Sequence, residues 1–568
     1  MKKQLNKIVA TMLTGVMAIS VLPLSSFAAM GTDGIKGTKL SISQEVALYQ
    51  DGALSEAYAE GEWTEQYTDP EEGTIEYDLY QGMLNVEKEI EFDLDSYMVS
   101  VSEAQESFRK VINSNPDLFY VSNIPIIYYY TSPWCNDCGG GGFIFPEKDG
   151  TWTDKYGDPC DHNESHNWYY VAASCEPTYI ADKSKIAAMK SKFNAAVERA
   201  LAGINDDMTD LDKALYCHDY IIKLNSYDYE NFVNNTVPNV SHSAYGALVL
   251  NVSVCDGYSL AYSYLLKKCG INTRLVTSVK LAHAWNAVEL DDEWYFVDCT
   301  GDDAVTNYTN NANFSDRFDV VSHNTFLMSE ELIRNTEFSV EEDDEEGETP
   351  ILYDGWAQTD IIADNTQYDN AYWRDITNEY GYCDKYWYYL DDATYEIMKT
   401  EDPTQAGKVY SSKIKDASNS WLVGENSFWT GSYGKASVHT PSKTMYVSVA
   451  DKIYAFDLTK EEPTDVEYYK HTGNGYIYGL TVIDDNLYIG IANAPNEKET
   501  LTSKFLGEVR LGDVNGDNKI NATDALGVLS YAAGIREPGF ITSAADVNKD
   551  TKINSFDALE ILSYAAGL

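Results

Sequence analysis

The stretch Val254-Cys-Asp-Gly-Tyr-Ser-Leu-Ala-Tyr-Ser-Tyr-Leu-Leu-Lys-Lys-Cys-Gly270 decides the fold of the central part of this chain. Apolar residues recur at helical spacing between Tyr258 and Lys268, and Gly270 follows as a natural C-terminal cap. Cys255 therefore lies at the N-terminus of a predicted buried helix. The dipole and the free N–H groups at such a terminus favour a thiolate, and the same N–H groups can stabilise an oxyanion.

A histidine and an aspartate follow on two predicted strands. Leu281–Leu290 carries His283, and Glu293–Asp298 returns after a two-residue turn. Such a turn pairs the near ends of the strands and hence places His283 opposite Thr300. His283 and Asp298 then lie diagonally on one face, where the carboxylate can accept a hydrogen bond from the imidazole and fix its tautomer. A one-residue slip of the register would break this geometry.

Cysteine catalysis requires a thiolate, a base beside it and a group that orients the base. Taken singly, a cysteine at a helix start, a histidine on a strand and an aspartate after a strand are most often structural. Their occurrence together in this order is much rarer. It makes Cys255, His283 and Asp298 the candidate catalytic residues.

The motifs around these three residues resemble the core of the bacterial transglutaminase-like superfamily. They are Ala244-Tyr-Gly-Ala-Leu, Val254-Cys-Asp-Gly-Tyr-Ser, Gly270-Ile, His283-Ala-Trp-Asn and Trp294-Tyr-Phe-Val-Asp298-Cys-Thr. The resemblance implies a papain-like α/β fold. It implies that Cys255 is the nucleophile, that His283 is the general base and acid, and that Asp298 orients the imidazole. The segment Leu211–Tyr229, which contains His218-Asp-Tyr, resembles the helix that precedes this core in secreted members, and no catalytic role passes to His218.

Members of this superfamily have two outcomes, and both begin when the cysteine attacks an amide carbonyl to form a thioester. Water then gives hydrolysis, whereas a lysine amine gives a crosslink. We expect hydrolysis of a protein or peptide substrate by a peptidase or amidase, because an open site admits water. The alternatives are a protein-crosslinking transglutaminase and a non-catalytic carbohydrate- or protein-binding subunit of a polysaccharide-degrading complex, since some members have lost activity.

Two segments near the C-terminus repeat with a period of 33 residues, as Asp513 and Asp546 show. Oxygen side chains at loop positions 1, 3, 5, 9 and 12, with a backbone carbonyl at position 7, suit calcium. The helix after each loop carries Leu and Tyr at core spacing. The predicted ligands are Asp513, Asn515, Asp517, Lys519, Asn521 and Asp524 in the first loop, and Asp546, Asn548, Asp550, Lys552, Asn554 and Asp557 in the second.

These repeats resemble type I dockerins, which are small, α-helical and EF-hand-like. The resemblance implies a cohesin module of a scaffoldin as partner, as in cellulosomes, with recognition positions at Ala522-Thr523 and Ser555-Phe556. Position 6 of an EF-hand loop prefers glycine, and this chain has Asn518 and Thr551 there. Because a β-branched residue tolerates that backbone poorly, we expect the second calcium site to be the weaker one.

Charge and the N-terminus predict the environment. The formal net charge of −49 argues against nucleic acid as a partner and disfavours anionic membranes. A basic start at Lys2, Lys3 and Lys7, an apolar stretch Ile8–Leu22 and the small residues of Ser26-Phe-Ala28 are typical of a signal peptide. No later run reaches the length of a membrane span. The chain is therefore predicted to be secreted, extracellular and cellulosome-associated, with no membrane insertion.

At 568 residues the chain is too long for one core. Residues 351–506 contain strand-like segments such as Thr444-Met-Tyr-Val-Ser-Val, at a spacing typical of propeller-like or sandwich domains. The predicted division is a signal peptide at 1–29, an N-terminal α/β domain of unknown role at 30–205, a transglutaminase-like catalytic domain at 206–340, an acidic linker at 341–350, a β-rich domain at 351–506 and a dockerin at 507–568.

The N-terminal α/β domain holds an unusual group of cysteines. Cys135-x-x-Cys138 is followed by four glycines and then by Cys160, His162, His166 and Cys175. This set is compatible with a structural zinc ion at Cys135 and Cys138. One or two disulfides in a surface loop of a secreted protein are favoured, because the second half of the set lacks regular ligand spacing. The same domain is predicted to contain helices at Val101–Asn113 and Lys183–Ala202 and a strand at Asn123–Tyr130.

Overall fold

A computed structural model of the chain describes residues 70–566 with short gaps. The gaps are 95, 122–124, 136–141, 147–150, 155–157, 161–165, 308–313, 344–346, 357–360, 412–419, 424–425, 430–433, 494–498, 508–509, 517–518, 536–539 and 550–551. The predicted signal peptide lies outside the described residues. Among the residues described, no helix combines the length and the apolar character needed to cross a membrane.

The N-terminal domain packs helices against an antiparallel sheet. Its helices are α1 (Ile75–Leu84), α2 (Val101–Ser114) and α3 (Lys183–Ala200). The strands, in sheet order, are β1 (Ile90–Glu91), β6 (His166–Glu176), β2 (Ile126–Cys135), β3 (Gly142–Pro146), β4 (Trp152–Asp154) and β5 (Pro159–Cys160). Both predicted helices are confirmed. The predicted strand forms from Ile126 onward and continues to Cys135.

The central domain comes directly after α3 in the chain, and its residues belong to the same hydrophobic core as those of α3. Its helices are α4 (Asp210–Leu224), α5 (Tyr229–Asn234), α6 (Cys255–Lys268) and α7 (Glu330–Asn335), with a 3-10 turn at Asn239–His242 and a π-helical turn at Gly246–Leu250. The strands are β7 (Ser226–Tyr227), β8 (Val252–Ser253), β9 (Thr273–Ser278), β10 (His283–Leu290), β11 (Glu293–Val297), β12 (Asp303–Asn307) and β13 (Phe314–Val321). Strands β11, β10 and β9 form one sheet against α6.

Helix α6 ends as the sequence predicts. Gly270 has φ +80, and the Ile271 N–H donates to the Leu266 carbonyl at 3.0 Å, which closes the helix in the manner of a Schellman cap. The buried positions run through almost the whole helix, from Asp256 to Leu266. A helix that is buried on all faces packs against other elements on every side, and this packing fixes the position of Cys255 at its start.

The acidic run Glu341–Glu348 was predicted to be a linker, and the structure corrects this. Strand β14 (Glu337–Asp343) pairs antiparallel with β15 (Gly347–Leu352). A run of carboxylates indicates a solvated segment but leaves the backbone free to form a strand. The strand pairing is favoured by Phe338 and Tyr353 at the base of this hairpin, whose rings lie 5.3 Å apart.

The β-rich domain consists of antiparallel meanders. One joins β16 (Gly381–Cys383), β17 (Tyr386–Leu390), β18 (Ile397–Thr400) and β19 (Lys408–Ser411), beside a hairpin of β20 (Ser420–Val423) and β21 (Asn426–Trp429). A second joins β22 (Ala436–His439), β23 (Thr444–Val449), β24 (Lys452–Asp457) and β25 (Val466–Lys470), and a third β26 (Tyr476–Ile483), β27 (Asn486–Ala492) and β28 (Thr500–Phe505). The predicted strands are confirmed, and the propeller-like or sandwich arrangement stays a prediction.

The β-rich domain packs directly on helix α4. Trp373 and Trp387 are buried in the same hydrophobic core as Leu215. The Trp387 indole donates to Asp212 Oδ1 at 2.7 Å, and Lys223 Nζ lies 2.6 Å from a Glu379 carboxylate oxygen. Such aromatic and charged contacts are those of one continuous body, so the two domains share a core rather than a flexible connection.

The C-terminal module contains α8 (Ala522–Ala532), the single turn α9 (Thr542–Ala545) and α10 (Ser555–Ala565). Its core differs from the prediction that Leu and Tyr of each helix form it. The small residues Ala525 and Ala558 and the branched Val528 and Ile561 are buried instead. The leucines of both helices and the tyrosine of α10 remain exposed. Helices with alanine at their contact approach closely, which leaves the larger side chains outside the core.

Candidate active site

Cys255 is the first residue of α6 and is half-buried. No side chain caps this helix, whereas the helices that begin at Val101, Asp210 and Ala522 all carry a capping box. The N-cap residue Val254 thus has no side-chain acceptor for the N–H groups at the start of α6. The Gly257 N–H donates to Asp256 Oδ1 at 2.9 Å, so an oxyanion site would use the other N–H groups of the first turn.

Gly257 explains how this terminus is held. A Cβ atom at Gly257 would lie 2.6 Å from the Ser241 carbonyl oxygen and 2.6 Å from the Ser253 Cβ. Only glycine fits there, since the first turn of α6 packs directly against the 3-10 turn at Asn239–His242 and against strand β8. The backbone that precedes Cys255 is fixed in turn by the Val254 N–H, which donates to Ser241 at 2.8 Å.

His283 begins strand β10 and lies beside Asp298. Its Nε2 is 2.6 Å from Asp298 Oδ2, and both side chains are buried. The predicted register is confirmed, because Leu290 pairs with Glu293 and the ladder continues to Asn286 opposite Val297. The structure thus brings His283 and Asp298 together by the hairpin geometry that the two-residue turn predicts.

Asp298 is held on every side. Its Oδ1 accepts from the Thr300 N–H at 2.9 Å, and its backbone N–H donates to the Thr325 carbonyl at 3.0 Å. Its Oδ2 accepts a second hydrogen bond, at 2.5 Å, from the Tyr353 hydroxyl. Sequence reasoning missed Tyr353, which lies 55 residues further along the chain and carries no local signal of this contact.

The charges of the site are mutually dependent. Burial alone would lower the pKa of His283, but the negative charge of Asp298 and the charge and hydrogen bond of Cys255 raise that pKa to about 10. Burial alone would raise the pKa of Asp298, but the His283 imidazolium and the hydrogen bonds of His283 and Tyr353 hold it below its usual range. Because Nε2 of His283 is hydrogen-bonded to Asp298, the hydrogen bond between His283 and Cys255 involves the other ring nitrogen, Nδ1. The arrangement suits an imidazolium between a carboxylate and a thiolate.

The raised pKa of His283 gives a pH prediction in a Cys255→Ala chain, where no active-site thiol titrates. Asp298 still raises the pKa there. Stabilisation by the imidazolium is fully present below the unfolded value of about 6.5 and is lost as the pH rises through the folded value. We expect the free energy of unfolding, measured with urea, to fall with pH in this range relative to the Cys255→Ala/His283→Gln chain. Parallel curves for the two chains would contradict the prediction.

Tyr353→Phe removes one hydrogen bond from Asp298 without opening a cavity. We expect the rate of Cys255 alkylation by iodoacetamide at neutral pH to fall about 3- to 10-fold, since a hydrogen bond to a charged group contributes about 1.5–3 kcal/mol and part of it is recovered by relaxation. Tyr295→Phe is the control, because the Tyr295 hydroxyl bonds Gln367 and lies outside the site. An unchanged rate in Tyr353→Phe would show that Asp298 does not depend on this bond.

The cysteines of the N-terminal domain fall into two groups. Cys135 and Cys160 share a small buried cluster with Ile144, whereas Cys175 belongs to the main core. Cys138 and His162 lie outside the described residues. Within the part of the chain that the structure describes, no pair of cysteines supports the zinc hypothesis at Cys135 and Cys138.

The two predicted calcium loops are built alike. The carboxylates at position 12, Asp524 and Asp557, are fully buried and each accepts backbone N–H groups from the start of its own loop, at 2.9 and 3.0 Å. Asn521 and Asn554 cap the helices α8 and α10 with their side-chain oxygens. In the first loop, both end carboxylates, Asp513 and Asp524, are buried. An oxygen-rich loop with buried carboxylates at its two ends fits a hard cation such as calcium. Asp517 and Asp550 lie outside the described residues.

The structure gives a new physical reason for unequal calcium sites. Asn518 and Thr551, on which the prediction rested, lie outside the described residues. At loop position 4 the backbone is left-handed in both loops, with Gly516 at φ +74 and Lys549 at φ +60. A left-handed non-glycine residue costs about 1–2 kcal/mol, so the second loop carries strain that the first does not.

Lys549→Gly is therefore expected to tighten the second calcium site by about 5- to 10-fold, the equivalent of about 1 kcal/mol of relieved strain. Isothermal calorimetry on the full chain measures both sites, and Gly516→Lys is the matched reverse change that should weaken the first. Two equally tight sites in the native chain would contradict the idea.

Comparison with known proteins agrees with these local features. The Transglutaminase-like superfamily core matches residues 197–299, and the Dockerin type I domain matches residues 511–564. No curated protein matches the chain. A solved structure, the crystal structure of a TGase, shares 16% identity over 24% of this chain and 42% of that chain, at a TM-score of 0.18, which is too low to bear on the fold. The chain spans less than half of that protein. It combines a transglutaminase-like superfamily core with a C-terminal type I dockerin domain.

Proposed function

We propose that the protein is a secreted thiol hydrolase that cleaves amide bonds of a protein or peptide substrate. The observation that carries the proposal is the position of His283, hydrogen-bonded to Asp298 on one side and serving Cys255 on the other. In this reaction the Cys255 thiolate attacks the amide carbonyl and the helix N–H groups stabilise the oxyanion. His283 donates a proton to the leaving amine, which leaves a thioester on Cys255. His283 then accepts a proton from water as water attacks the thioester and releases the acid.

The dockerin implies docking to a cohesin module and association with an extracellular cellulosome. A face of exposed apolar residues supports this role. It repeats across the two helices α8 and α10 and consists of Leu526, Leu529, Phe556, Leu559, Leu562 and Tyr564. Thr523 and Phe556 occupy equivalent positions of the two repeats, so the two faces are alike in their leucines and unequal at this recognition position. Calcium would hold the loops that orient both helices.

Activity profiling on peptide and glycoprotein libraries tests the proposal, with Cys255→Ala as the control. Expected products are new amino termini or released ammonia that require Cys255, together with a covalent acyl adduct on Cys255 at early times. Incorporation of a fluorescent amine into a protein acceptor, in place of hydrolysis, would assign the site to crosslinking. Absence of both products, with no adduct, would sink the catalytic proposal and leave a binding subunit.

A further inference from the structure

A second group of ionisable side chains is buried in the central domain, and one member, Asp302, lies four residues after Asp298 in the chain. His218 and Asp219 lie on α4, Asp302 follows Asp298, and His323 follows β13. All four are nearly or fully inaccessible to solvent. The ligand atoms of His218, Asp219 and His323 have a spacing that a metal ion could use. The chemistry of each contact therefore decides whether these side chains form a metal site or a hydrogen-bonded group.

The contacts have the lengths of hydrogen bonds. His218 Nδ1 is 3.0 Å from Asp219 Oδ1, and His218 Nε2 is 3.1 Å from Asp302 Oδ2. His323 Nε2 is 3.0 Å from the same Asp219 oxygen, and its Nδ1 is 3.2 Å from the Ile376 carbonyl. Every ring nitrogen faces an oxygen acceptor, and such a contact is favourable only when the nitrogen carries the hydrogen. A metal ion at about 2.0–2.2 Å from its ligands would have to displace these hydrogens.

The charges support the same assignment. Burial alone would lower the pKa of His218, but its hydrogen bonds to Asp219 and Asp302 raise that pKa to about 9. Burial alone would raise the pKa of Asp219, but the charge and hydrogen bonds of His323 and His218 hold it well below its usual range. A buried imidazolium between two carboxylates satisfies its own charge and all of its donors.

Asp302 connects this group to Asp298. The Asp302 carboxylate accepts from the Thr325 N–H at 3.0 and 3.1 Å. Thr325 makes two hydrogen bonds with the backbone of Asp298. The Thr325 carbonyl accepts from the Asp298 N–H at 3.0 Å, and the Thr325 hydroxyl donates to the Asp298 carbonyl at 2.7 Å. Any displacement of Asp302 therefore moves Thr325 and, with it, the carboxylate that orients His283.

The β-rich domain closes the group on its far side. The Tyr380 N–H donates to Asp219 Oδ2 at 2.8 Å. Arg374 donates to carbonyls on the segment that follows His323, among them Asn324 at 2.6 Å and Phe326 at 3.0 Å. Helix α4, the loop after Asp298 and the β-rich domain thus meet at these four side chains.

We propose that His218 and Asp302 are positioning residues that act through Thr325 to set the place of Asp298. The inference rests on the proposed thiol chemistry. It assigns no contact with substrate to either residue. A carboxylate displaced by about 1 Å from a catalytic base costs on the order of 100-fold in rate, so an indirect link of this kind has a measurable effect.

The test measures the rate of Cys255 alkylation by iodoacetamide against pH in the full mature chain, together with the ring ¹⁵N shifts of His283. His218→Gln and Asp302→Ala are expected to lower the alkylation rate at pH 7 by about 10-fold or more and to change the ring ¹⁵N shifts of His283, because Asp298 no longer orients its imidazole. Asp302→Asn should recover most of the rate, because an amide still accepts from Thr325. His439→Gln is the matched control, since His439 is equally buried, bonds Asp485 at 2.8 Å and has no link to Asp298.

The outcomes separate the two proposals. A native alkylation rate and native His283 shifts in folded His218→Gln would overturn the positioning role and leave the thiol chemistry standing. One equivalent of metal bound to the native chain and lost in His218→Gln would overturn the hydrogen-bonded assignment. If Asp302→Ala does not fold, His218→Gln and Asp302→Asn carry the measurement. A native Cys255 that reacts no faster than a free thiol would instead count against the proposed function itself.

Discussion

Cys255→Ala is expected to abolish labelling of the protein by a thiol electrophile at neutral pH and to lower kcat/KM on any amide substrate by at least about 1000-fold. The magnitude follows from removal of the nucleophile, because the positioned base and the N–H groups of α6 cannot form a thioester by themselves. Mass spectrometry of the labelled chain and initial rates on a cleaved peptide are the two measurements. Cys255→Ser should fall nearly as far, since the imidazole is arranged around a thiolate.

Cys269→Ala is the matched control for this experiment. Cys269 is half-buried like Cys255 and caps the opposite end of the same helix. A thiol at a helix C-terminus meets the negative end of the dipole. The hydrogen bond with Cys217 and the charge of Lys213 nevertheless lower the pKa of Cys269, so this cysteine tests whether a lowered pKa alone is enough for labelling. Cys255 has in addition the helix N-terminus and a hydrogen bond with His283. Labelling should therefore be lost in Cys255→Ala and retained in Cys269→Ala. Equal labelling of both cysteines in the native chain would contradict the idea that the start of α6 is a specialised thiol site.

A chain that ends at Val340 is expected to lose its folded central domain. It would lack Trp373, which is fully buried in the main core, and Tyr353, which bonds Asp298. Loss of one buried tryptophan typically costs about 3–5 kcal/mol, which is a large part of the total stability of about 5–15 kcal/mol. Asp219 and Asp212 would also lose the hydrogen bonds that the Tyr380 N–H and the Trp387 indole donate to them, which adds to this cost. Circular dichroism and thermal unfolding measure the result.

A chain that ends at Leu506 is the control, because it removes the dockerin and keeps the β-rich domain. Thermal unfolding and Cys255 alkylation should both stay at their native values, whereas binding to an immobilised cohesin should be lost. A cooperative unfolding transition in the chain that ends at Val340 would show that the β-rich domain is an appendage. It would thereby contradict the shared core.

Much of the site could be predicted from the sequence because its signals are local. The helical spacing up to Gly270 places Cys255 at a helix start, and the two-residue turn sets the register that joins His283 to Asp298. The strands of the β-rich domain follow from alternation between turn residues, and Thr444–Val449 and Lys452–Asp457 form as predicted. Periodicity and turn chemistry act over a few residues, so they can be read without knowledge of the rest of the chain.

Long-range contacts were decided only by the tertiary structure. The described residues of the acidic run belong to two paired strands, Glu337–Asp343 and Gly347–Leu352, and Tyr353 reaches Asp298 across 55 residues. The dockerin helices bury alanine, valine and isoleucine instead of the leucines at equally regular spacing. A pattern shows which residues share a face, but which face is buried depends on the partner that packs against it.

The chemistry that the sequence by itself determined is the cysteine, the histidine and the aspartate, together with two oxygen-rich loops. The tertiary structure alone decided that His218 and Asp302 support Asp298 and that the β-rich domain completes the core. Histidines and aspartates far apart in the chain read as solvated surface residues. They become a buried, charge-balanced group only when folding removes water from all of them at once, because a buried charge is stable only beside its partner.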